Sequence, residues 1–268
     1  MPTVDVDTKR GYKASVSVQE IWNKFENGTI DKKLCIPLGQ DTNKQDHFLD
    51  LKHYPHFIIG GVALSGVGMF RRVALATLLK FNKPEDLKFI LIDHLKITFF
   101  DFKNIDKHLI FPIITDSKEA IKALEWANKE SERRFNLILK NKVRNIEMYN
   151  QKNPKKKIPT ILIMITELGE LMKFNKEKVE NLIIGLAMMA KWINISFMLT
   201  TQRLSVDTIS GLIKANIGNR IAFQSGSKEA SHLILDEEGA ENLLGQGDMM
   251  VLTHYSASIK RMQGYCLE

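Results

Sequence analysis

Five short apolar runs constrain the fold of this chain more than any other feature of its sequence. They lie after Pro55 and are separated by stretches with helical spacing of apolar residues. The runs are Phe57–Ile59, Phe89–Ile92, Ile161–Ile165, Ile195–Leu199 and Arg220–Phe223. Short runs of this kind suit strands that are covered on both faces. Strands alternating with helices predict an α/β fold with a mainly parallel central sheet flanked by helices.

The remaining segments divide the chain into a main core and a shorter lead-in. Residues 118–139 have the spacing of an amphipathic helix, and Asp116 with Glu119 gives it a start like a capping box. Residues 1–54 are polar and mixed, with a predicted short helix near Val18–Phe25 and a strand near Leu34–Leu38. We therefore expect a small β-containing N-terminal lead-in module at 1–54 and the α/β core at 55–268.

The composition of the chain limits its domain number, its partners and its location. The chain has 268 residues, 44% of them hydrophobic, which is enough for one large domain or one domain with a small appendage. Its formal charge of +7 favours nucleic acid, nucleotides or acidic surfaces as partners, although a solvated basic surface would give the same number. Cys35 and Cys266 form no metal-ligand or disulfide pattern, which fits a cytoplasmic location. We find no membrane segment and no signal peptide.

A glycine-containing loop follows the first apolar run and precedes a helical stretch. Strand, loop and helix in this order form an anion cradle, because backbone N–H groups and the helix N-terminus point at the ligand. The spacing from Gly61 to Gly66 matches the G-x-x-x-x-G of a P-loop. The predicted nucleotide-binding residues are Gly61, Val62, Ala63, Leu64, Ser65, Gly66, Val67 and Gly68.

The two residues that give a P-loop its chemistry are replaced. The pattern continues with Lys, which neutralises phosphate charge, and Ser or Thr, which holds magnesium; here they are Val67 and Gly68. Arg71 and Arg72 follow within the next helical turn. We expect these arginines to be solvated, and the alternative is that they reach the phosphates from outside. Any tight β–α turn favours glycine, so this loop alone does not decide the function.

From Pro55 to the C-terminus the sequence resembles the motor domain of FtsK/SpoIIIE DNA translocases, segment after segment and in the same order. This resemblance implies a RecA-like P-loop NTPase core over residues 55–268, with ATP as the expected ligand. The matching stretches are Phe89–Asp93, Glu132–Phe135, Val143–Ile146, Thr201–Arg203, Gly211–Ile217, Arg220–Phe223 and Gly239–Met249.

The resemblance also assigns roles to single residues. In such motors the strand corresponding to Ile161–Ile165 ends in Asp-Glu, whereas this chain has Thr166 and Glu167. Glu167 would polarise the attacking water, but Thr166 and Gly68 stand where metal ligands are expected, so we predict no magnesium site. The alternative for Glu167 is an ordinary strand-end carboxylate.

Two further residues match positions that act near the γ-phosphate or between subunits. Gln202 would sense the γ-phosphate, and Arg220 would be a trans-acting finger in a ring of subunits. His232 stands where the family usually carries a second arginine. The alternative for Gln202 is a plain polar residue at a strand end.

These departures predict a pseudo-ATPase, because losing several phosphoryl-transfer groups together should nearly abolish hydrolysis. Our leading hypothesis is a ring-forming or ring-associated homologue that binds duplex DNA or a motor subunit. The run Lys155, Lys156, Lys157 would contact DNA phosphates without reading sequence, or would be a solvated loop. One alternative is a degenerate ATPase domain that binds proteins, as in type VII secretion coupling proteins. Another is an active translocase in which Arg71 or Arg72 compensates.

Overall fold

The computed structural model describes residues 16–28, 33–102, 104–254, 256 and 258–267. The strands are β1 (Val16–Ser17), β2 (Cys35–Asp41), β3 (Asp46–Asp50), β4 (His56–Gly60), β5 (Leu87–Ile92), β6 (Thr160–Ile165), β7 (Ile195–Thr201), β8 (Asn219–Phe223), β9 (Asp248–Leu252) and β10 (Lys260–Cys266). The helices are α1 (Val18–Glu26), α2 (Val67–Phe81), α3 (Ser117–Lys140), α4 (Ile146–Lys152), α5 (Leu168–Ile193), α6 (Gly211–Asn216) and α7 (Lys228–Leu235).

The strands form one sheet in the order β3-β2-β10-β9-β8-β4-β7-β6-β5, with β1 added beside β10. The half that contains β8, β4, β7, β6 and β5 is parallel throughout. The other half, β9, β10, β2 and β3, is antiparallel. The predicted α/β fold and the five predicted strands, which are β4 to β8, are confirmed.

The central strands are buried along their whole length, which explains their unbroken apolar sequence. Every residue of β4, β6 and β7 is buried, and β4 lies between β7 and β8. Parallel strands flanked by helices on both faces have no solvent-exposed face, so polar residues do not alternate with apolar ones along them. The carboxyl ends of these strands consequently meet along one edge of the sheet, where the glycine loop, Glu167 and Gln202 lie.

Helices cover both faces of the sheet. One core cluster packs α3 and α5 against one face, and a second packs α2 against the other. Helix α3 begins where the sequence predicts, because the Asp116 carboxylate accepts hydrogen bonds from the N–H groups of Lys118 and Glu119. Helix α5 bends at Asn175, whose φ of −160° and ψ of 86° are not helical.

The N-terminal segments are attached to this core rather than separate from it. Strand β2 pairs with β10 and β3 pairs with β2, so both belong to the same sheet. Helix α1 lies near α2, where the Trp22 indole N–H donates to the Thr77 hydroxyl at 2.8 Å. The domain division at residues 54 and 55 stays a prediction, and the first 15 residues lie outside the described part. None of the described helices is long and apolar enough to cross a bilayer.

Candidate functional site at the carboxyl ends of the parallel strands

The predicted nucleotide loop joins β4 to α2 and has the backbone of an anion cradle. The Ser65 N–H and hydroxyl both donate to the carbonyl of Val62, at 3.2 and 2.6 Å, which closes the turn. Helix α2 then starts after Gly66, which offers no side-chain cap. The first-turn N–H groups of α2 therefore have no side-chain acceptor from the cap residue, which is the arrangement that favours an anion.

Two glycines in the loop are required by close packing. A Cβ on Gly61 would lie 2.7 Å from the Cβ of Phe223, and one on Gly66 would lie 2.5 Å from the backbone nitrogen of Gly247. The Gly247 N–H also donates to the Ser65 carbonyl at 2.9 Å. The loop is thus packed against the turn Gly245–Gly247, which precedes β9. Sequence analysis did not assign this turn to the site.

The position of the P-loop lysine is filled by a core side chain. Val67 is 3% exposed and packs in the cluster beneath α2. Gly68, at the next position, carries no hydroxyl. Leu64, at the tip of the loop, is 97% exposed and has a left-handed φ of 65°. The loop keeps the shape of a cradle but lacks the two side chains that hold phosphate charge and metal.

The expectation that Arg71 is solvated is wrong. Arg71 is 4% exposed, and its Nη1 donates to the Thr166 carbonyl at 2.6 Å and to the Thr200 hydroxyl at 2.8 Å. It lies four residues after Val67, so both side chains point from the same face of α2 toward the sheet. This spacing is the sequence signal that could have predicted its burial. Burial lowers the pKa of Arg71, and the nearby carboxylates Asp93 and Glu167 oppose that shift.

Arg72 points the other way. Its Nη2 donates to the Asp101 carboxylate at 2.7 Å, and its side chain is 39% exposed. This partly exposed ion pair ties α2 to the loop after β5.

Thr166 is hydrogen-bonded to a carboxylate that sequence analysis did not assign to the site. Its hydroxyl donates to Asp93 Oδ1 at 3.0 Å, and Asp93 Oδ2 accepts from the N–H of Thr98 at 2.8 Å. Asp93 is 2% exposed and directly follows β5. Both of its oxygens are therefore occupied by donors from the chain. The signal that could have found it is the aspartate that closes the matching stretch Phe89–Asp93.

Glu167 is held by three donors. Its Oε1 accepts from the Gly169 N–H at 3.1 Å and from the Thr201 hydroxyl, and its Oε2 accepts from the Gln202 N–H at 2.8 Å. It is 9% exposed and caps the N-terminus of α5. In this arrangement Glu167 fixes the start of α5 to the end of β7.

A polar cleft opens beside Glu167. It has a volume of about 720 Å³, and its lining includes His94, Glu167, Gln202 and Arg203. The side chain of Gln202 is exposed, so the structure places Glu167 and Gln202, to which the family resemblance assigns catalytic roles, in one cleft. Burial lowers the pKa of His94, with Glu170 the first of several carboxylates that oppose the shift.

The residues in this region do not fit magnesium. Magnesium prefers carboxylate and water oxygens that are free to point at it. Both Asp93 oxygens and both Glu167 oxygens are engaged by the chain, and the Arg71 guanidinium adds a positive charge. In the described part of the chain, no group of three or more His, Cys, Asp or Glu side chains could hold a metal ion.

Arg220 lies on β8 and forms an ion pair within the chain. Its Nη1 pairs with the Asp236 carboxylate, and its side chain is 11% exposed. Lys214 pairs with the same carboxylate at 2.6 Å. A role as a finger for a neighbouring subunit would require this pairing to open, and that role stays a prediction.

The three lysines lie at the opposite edge of the sheet from the glycine loop. Lys155, Lys156 and Lys157 are exposed and precede β6, so they lie at the amino end of a parallel strand. Lys157 is 3.3 Å from the Asp86 carboxylate. The structure therefore does not bring these lysines together with Glu167 or the loop.

The parallel sheet, the glycine loop at the end of β4 and the flanking helices define the fold of P-loop ATPase motor domains. Two solved structures of this class superpose on nearly the whole chain. The conjugation coupling protein TcpA of pCW3, solved with ATPγS, has a TM-score of 0.82 at 20% identity and matches 97% of this chain and 72% of its own. The cytoplasmic domain of the type VII secretion ATPase EccC of Thermomonospora curvata has a TM-score of 0.80 at 18% identity. The match covers 95% of this chain and 32% of the EccC chain. At such identities these likenesses concern the fold alone.

Sequence relatives identify the family. The FtsK/SpoIIIE family profile matches residues 18–206. DNA translocase FtsK 2 of Neisseria meningitidis is 38% identical over 93% of this chain, and DNA translocase FtsK of Haemophilus influenzae is 36% identical over 98%. The chain belongs to the FtsK/SpoIIIE family. It spans 27% of the first relative and 54% of the second.

Proposed function

We propose that this chain is a non-hydrolysing member of the FtsK/SpoIIIE family that works by binding duplex DNA within an assembly of motor subunits. One observation carries the proposal: side chains with structural contacts stand where the catalytic groups are expected. Val67, at the position of the P-loop lysine, is buried in the core, and the Arg71 guanidinium is hydrogen-bonded at the carboxyl end of β6. Phosphoryl transfer depends on positioned charge around the phosphates and the metal. This site has no lysine ammonium, no hydroxyl at position 68 and no carboxylate that is free to bind a metal ion, so it supplies little of the charge that phosphoryl transfer needs.

The backbone cradle supports retention of weak anion binding. The N-terminus of α2 favours negative charge through its N–H groups and its dipole, even without lysine. We therefore propose that ATP binds weakly and without a requirement for magnesium. Titration with a fluorescent ATP analogue, in magnesium and in EDTA, should give similar weak affinities. Phosphate-release assays with DNA present should stay at the no-protein background, and rapid DNA-stimulated turnover would overturn the proposal.

DNA binding is proposed from the charge of the chain and from the exposed lysines before β6. In the part of the chain that the structure describes, Lys155 and Lys156 have no acidic partner within ion-pair distance, so both are available to phosphates. Each phosphate contact contributes a slope of about −0.9 to the dependence of log affinity on log salt. Replacing Lys155 and Lys156 by Gln should flatten that slope by about 2 in fluorescence anisotropy with duplex DNA.

A matched control separates these lysines from general charge effects. Lys122→Gln removes one charge from an exposed pair with Glu119 on α3 and should leave the salt slope unchanged. Binding that does not depend on salt, or equal effects of both sets of variants, would contradict the DNA assignment.

The second candidate is a protein-binding module, and exposed apolar side chains beside the site favour it. Ile97 is 72% exposed and Phe100 is 77% exposed in the loop after β5, which Arg72 ties to α2 through Asp101. Exposed apolar groups close together are typical of protein contacts. If DNA binding fails, pull-down of motor subunits by the wild type, and its loss in Ile97→Ser with Phe100→Ser, would support this candidate.

A further inference from the structure

Arg71 carries an inference that goes beyond the loss of hydrolysis, on which it rests. Its guanidinium reaches the carboxyl ends of β6 and β7, where Nη1 donates to the Thr166 carbonyl and the Thr200 hydroxyl. The Thr200 hydroxyl in turn lies 2.9 Å from the Ile165 carbonyl. One side chain from α2 therefore links the two strands that end next to Glu167.

Arg71 is also a cation among carboxylates. Asp93 and Glu167 are the two acidic groups that act on it electrostatically, and both are buried. An arginine keeps its charge in proteins, so this charge is permanent. The aspartate that the family carries at position 166 is a neutral threonine here, and one positive side chain faces the two carboxylates that remain.

Gly68 lies beside the Arg71 guanidinium, with space for a side chain. A Cβ at position 68 would have a single neighbour within 4 Å, the Nη2 of Arg71 at 3.8 Å. A serine or threonine here would place its hydroxyl beside the guanidinium instead of beside a metal ion. Arg71 is thus next to both positions, 68 and 166, at which the metal ligands of the family motif are replaced.

We propose that Arg71 is a built-in cation that takes the place of the divalent metal, so that the site is complete without metal and without nucleotide. Its charge repels a dication brought to the same space. The site then works as a fixed brace between α2 and the ends of β6 and β7, and the shape of the loop does not depend on ligand.

The test restores the family's residues with and without the arginine. In Val67→Lys, Gly68→Ser, Thr166→Asp the ammonium, the hydroxyl and the carboxylate return but Arg71 remains. Titration of this triple variant with a fluorescent ATP analogue should show affinities in magnesium and in EDTA that agree within about twofold. Adding Arg71→Leu should make binding at least tenfold tighter in magnesium than in EDTA, because the place of the metal becomes free.

A neighbouring arginine is the matched control. Adding Arg72→Leu to the triple variant removes one positive charge from the same helix but not from the strand ends, so binding should stay independent of magnesium. Full magnesium-dependent binding by the triple variant alone, or an equal gain from both leucine substitutions, would overturn the proposal.

Arg71→Leu removes the cation beside the buried carboxylates of Asp93 and Glu167, which costs stability, so the test includes a measurement on the wild type in case the variants do not fold. The Arg71 Nε is buried without an acceptor among the described residues, so a leucine would also remove an unsatisfied donor. In addition, the unfolding midpoint of the wild type should be the same in magnesium and in EDTA, and a rise with magnesium would contradict the proposal. The proposed function fails separately, by ATP hydrolysis in the wild type.

Discussion

Glu130 and Arg134 on α3 hold the far end of α5 and allow a quantitative test. Arg134 Nε donates to Glu130 at 2.8 Å, and its Nη1 donates to the Ile193 carbonyl at 2.8 Å, at the C-terminus of α5. The exposed fractions of the two side chains are 2% for Arg134 and 12% for Glu130. This contact fixes the turn from α5 into β7, and the opposite ends of those two elements carry Glu167 and Gln202.

The perturbation is Glu130→Gln, which keeps the shape and removes the charge. Arg134 is then buried with only neutral acceptors. Removing one partner of a buried ion pair costs about 3–5 kcal/mol of unfolding free energy. Because Arg134 keeps its carbonyl acceptors, we expect a loss of about 3 kcal/mol for this variant. At roughly 2–4 °C per kcal/mol for a chain of this size, the thermal midpoint should fall by roughly 6–12 °C.

Circular dichroism melts and urea titrations measure this effect. Glu170→Gln is the control, because Glu170 forms an ion pair with Lys173 within one helix, at i,i+3 spacing rather than i,i+4, on an exposed surface. It should cost less than about 1 kcal/mol. Equal losses in the two variants would refute the reasoning that burial sets the value of the Glu130 pair.

The same pair predicts a dependence on pH. Burial raises the pKa of Glu130, but hydrogen bonds from Arg133 and Arg134 outweigh it, so the folded pKa lies below the ordinary 4.5. A depressed carboxyl pKa contributes stability that is complete above the unfolded value and is lost as pH falls through the folded value. The difference in unfolding free energy between wild type and Glu130→Gln should therefore be constant well above pH 4.5 and shrink as the pH is lowered below 4.5, through the folded pKa. A difference that stays constant below pH 4.5 would contradict this assignment.

Three further substitutions test the loop and its surroundings. Gly66→Ala should destabilise the chain by more than about 2 kcal/mol in urea titrations, because the φ of 122° and the Gly247 backbone both exclude a Cβ. Leu64→Gly should raise stability by about 0.5 kcal/mol in the same assay, since relief of a left-handed conformation worth about 1–2 kcal/mol exceeds the entropy cost of glycine. Thr166→Val should cost about 1–3 kcal/mol by removing a donor from buried Asp93, and no measurable loss would show that this hydrogen bond is unimportant.

The sequence predicted the parallel half of the sheet well because each of its strands is a local apolar run. Strands β4 to β8 and the cap of α3 at Asp116 appear where expected. Strands β9 and β10 were not predicted. They pair with each other across a short connection, but β10 has the mixed sequence KRMQGYC rather than an apolar run, and its second partner is β2, near the start of the chain. A local pattern carries no information on such pairing.

The candidate site was predicted in part. The replacement of lysine by Val67 and of aspartate by Thr166 can be read directly from the sequence. Glu167 and Gln202, which the family resemblance singles out, line the same cleft. The placement of Arg71 was predicted wrongly, because a charged residue was assumed to prefer water. Its burial depends on acceptors supplied by β6 and β7, and these become adjacent only in the folded chain.

The contact between Gly66 and Gly247 bears on how such glycine signatures should be interpreted. The Gly247 backbone occupies the volume that a side chain on Gly66 would need, and Gly247 itself has a φ of 96°, so selection for a folded protein is enough to keep both glycines whether or not the chain hydrolyses ATP. The same contact makes the loop a late product of folding, since it cannot take its final form on the ribosome before the last strands have emerged.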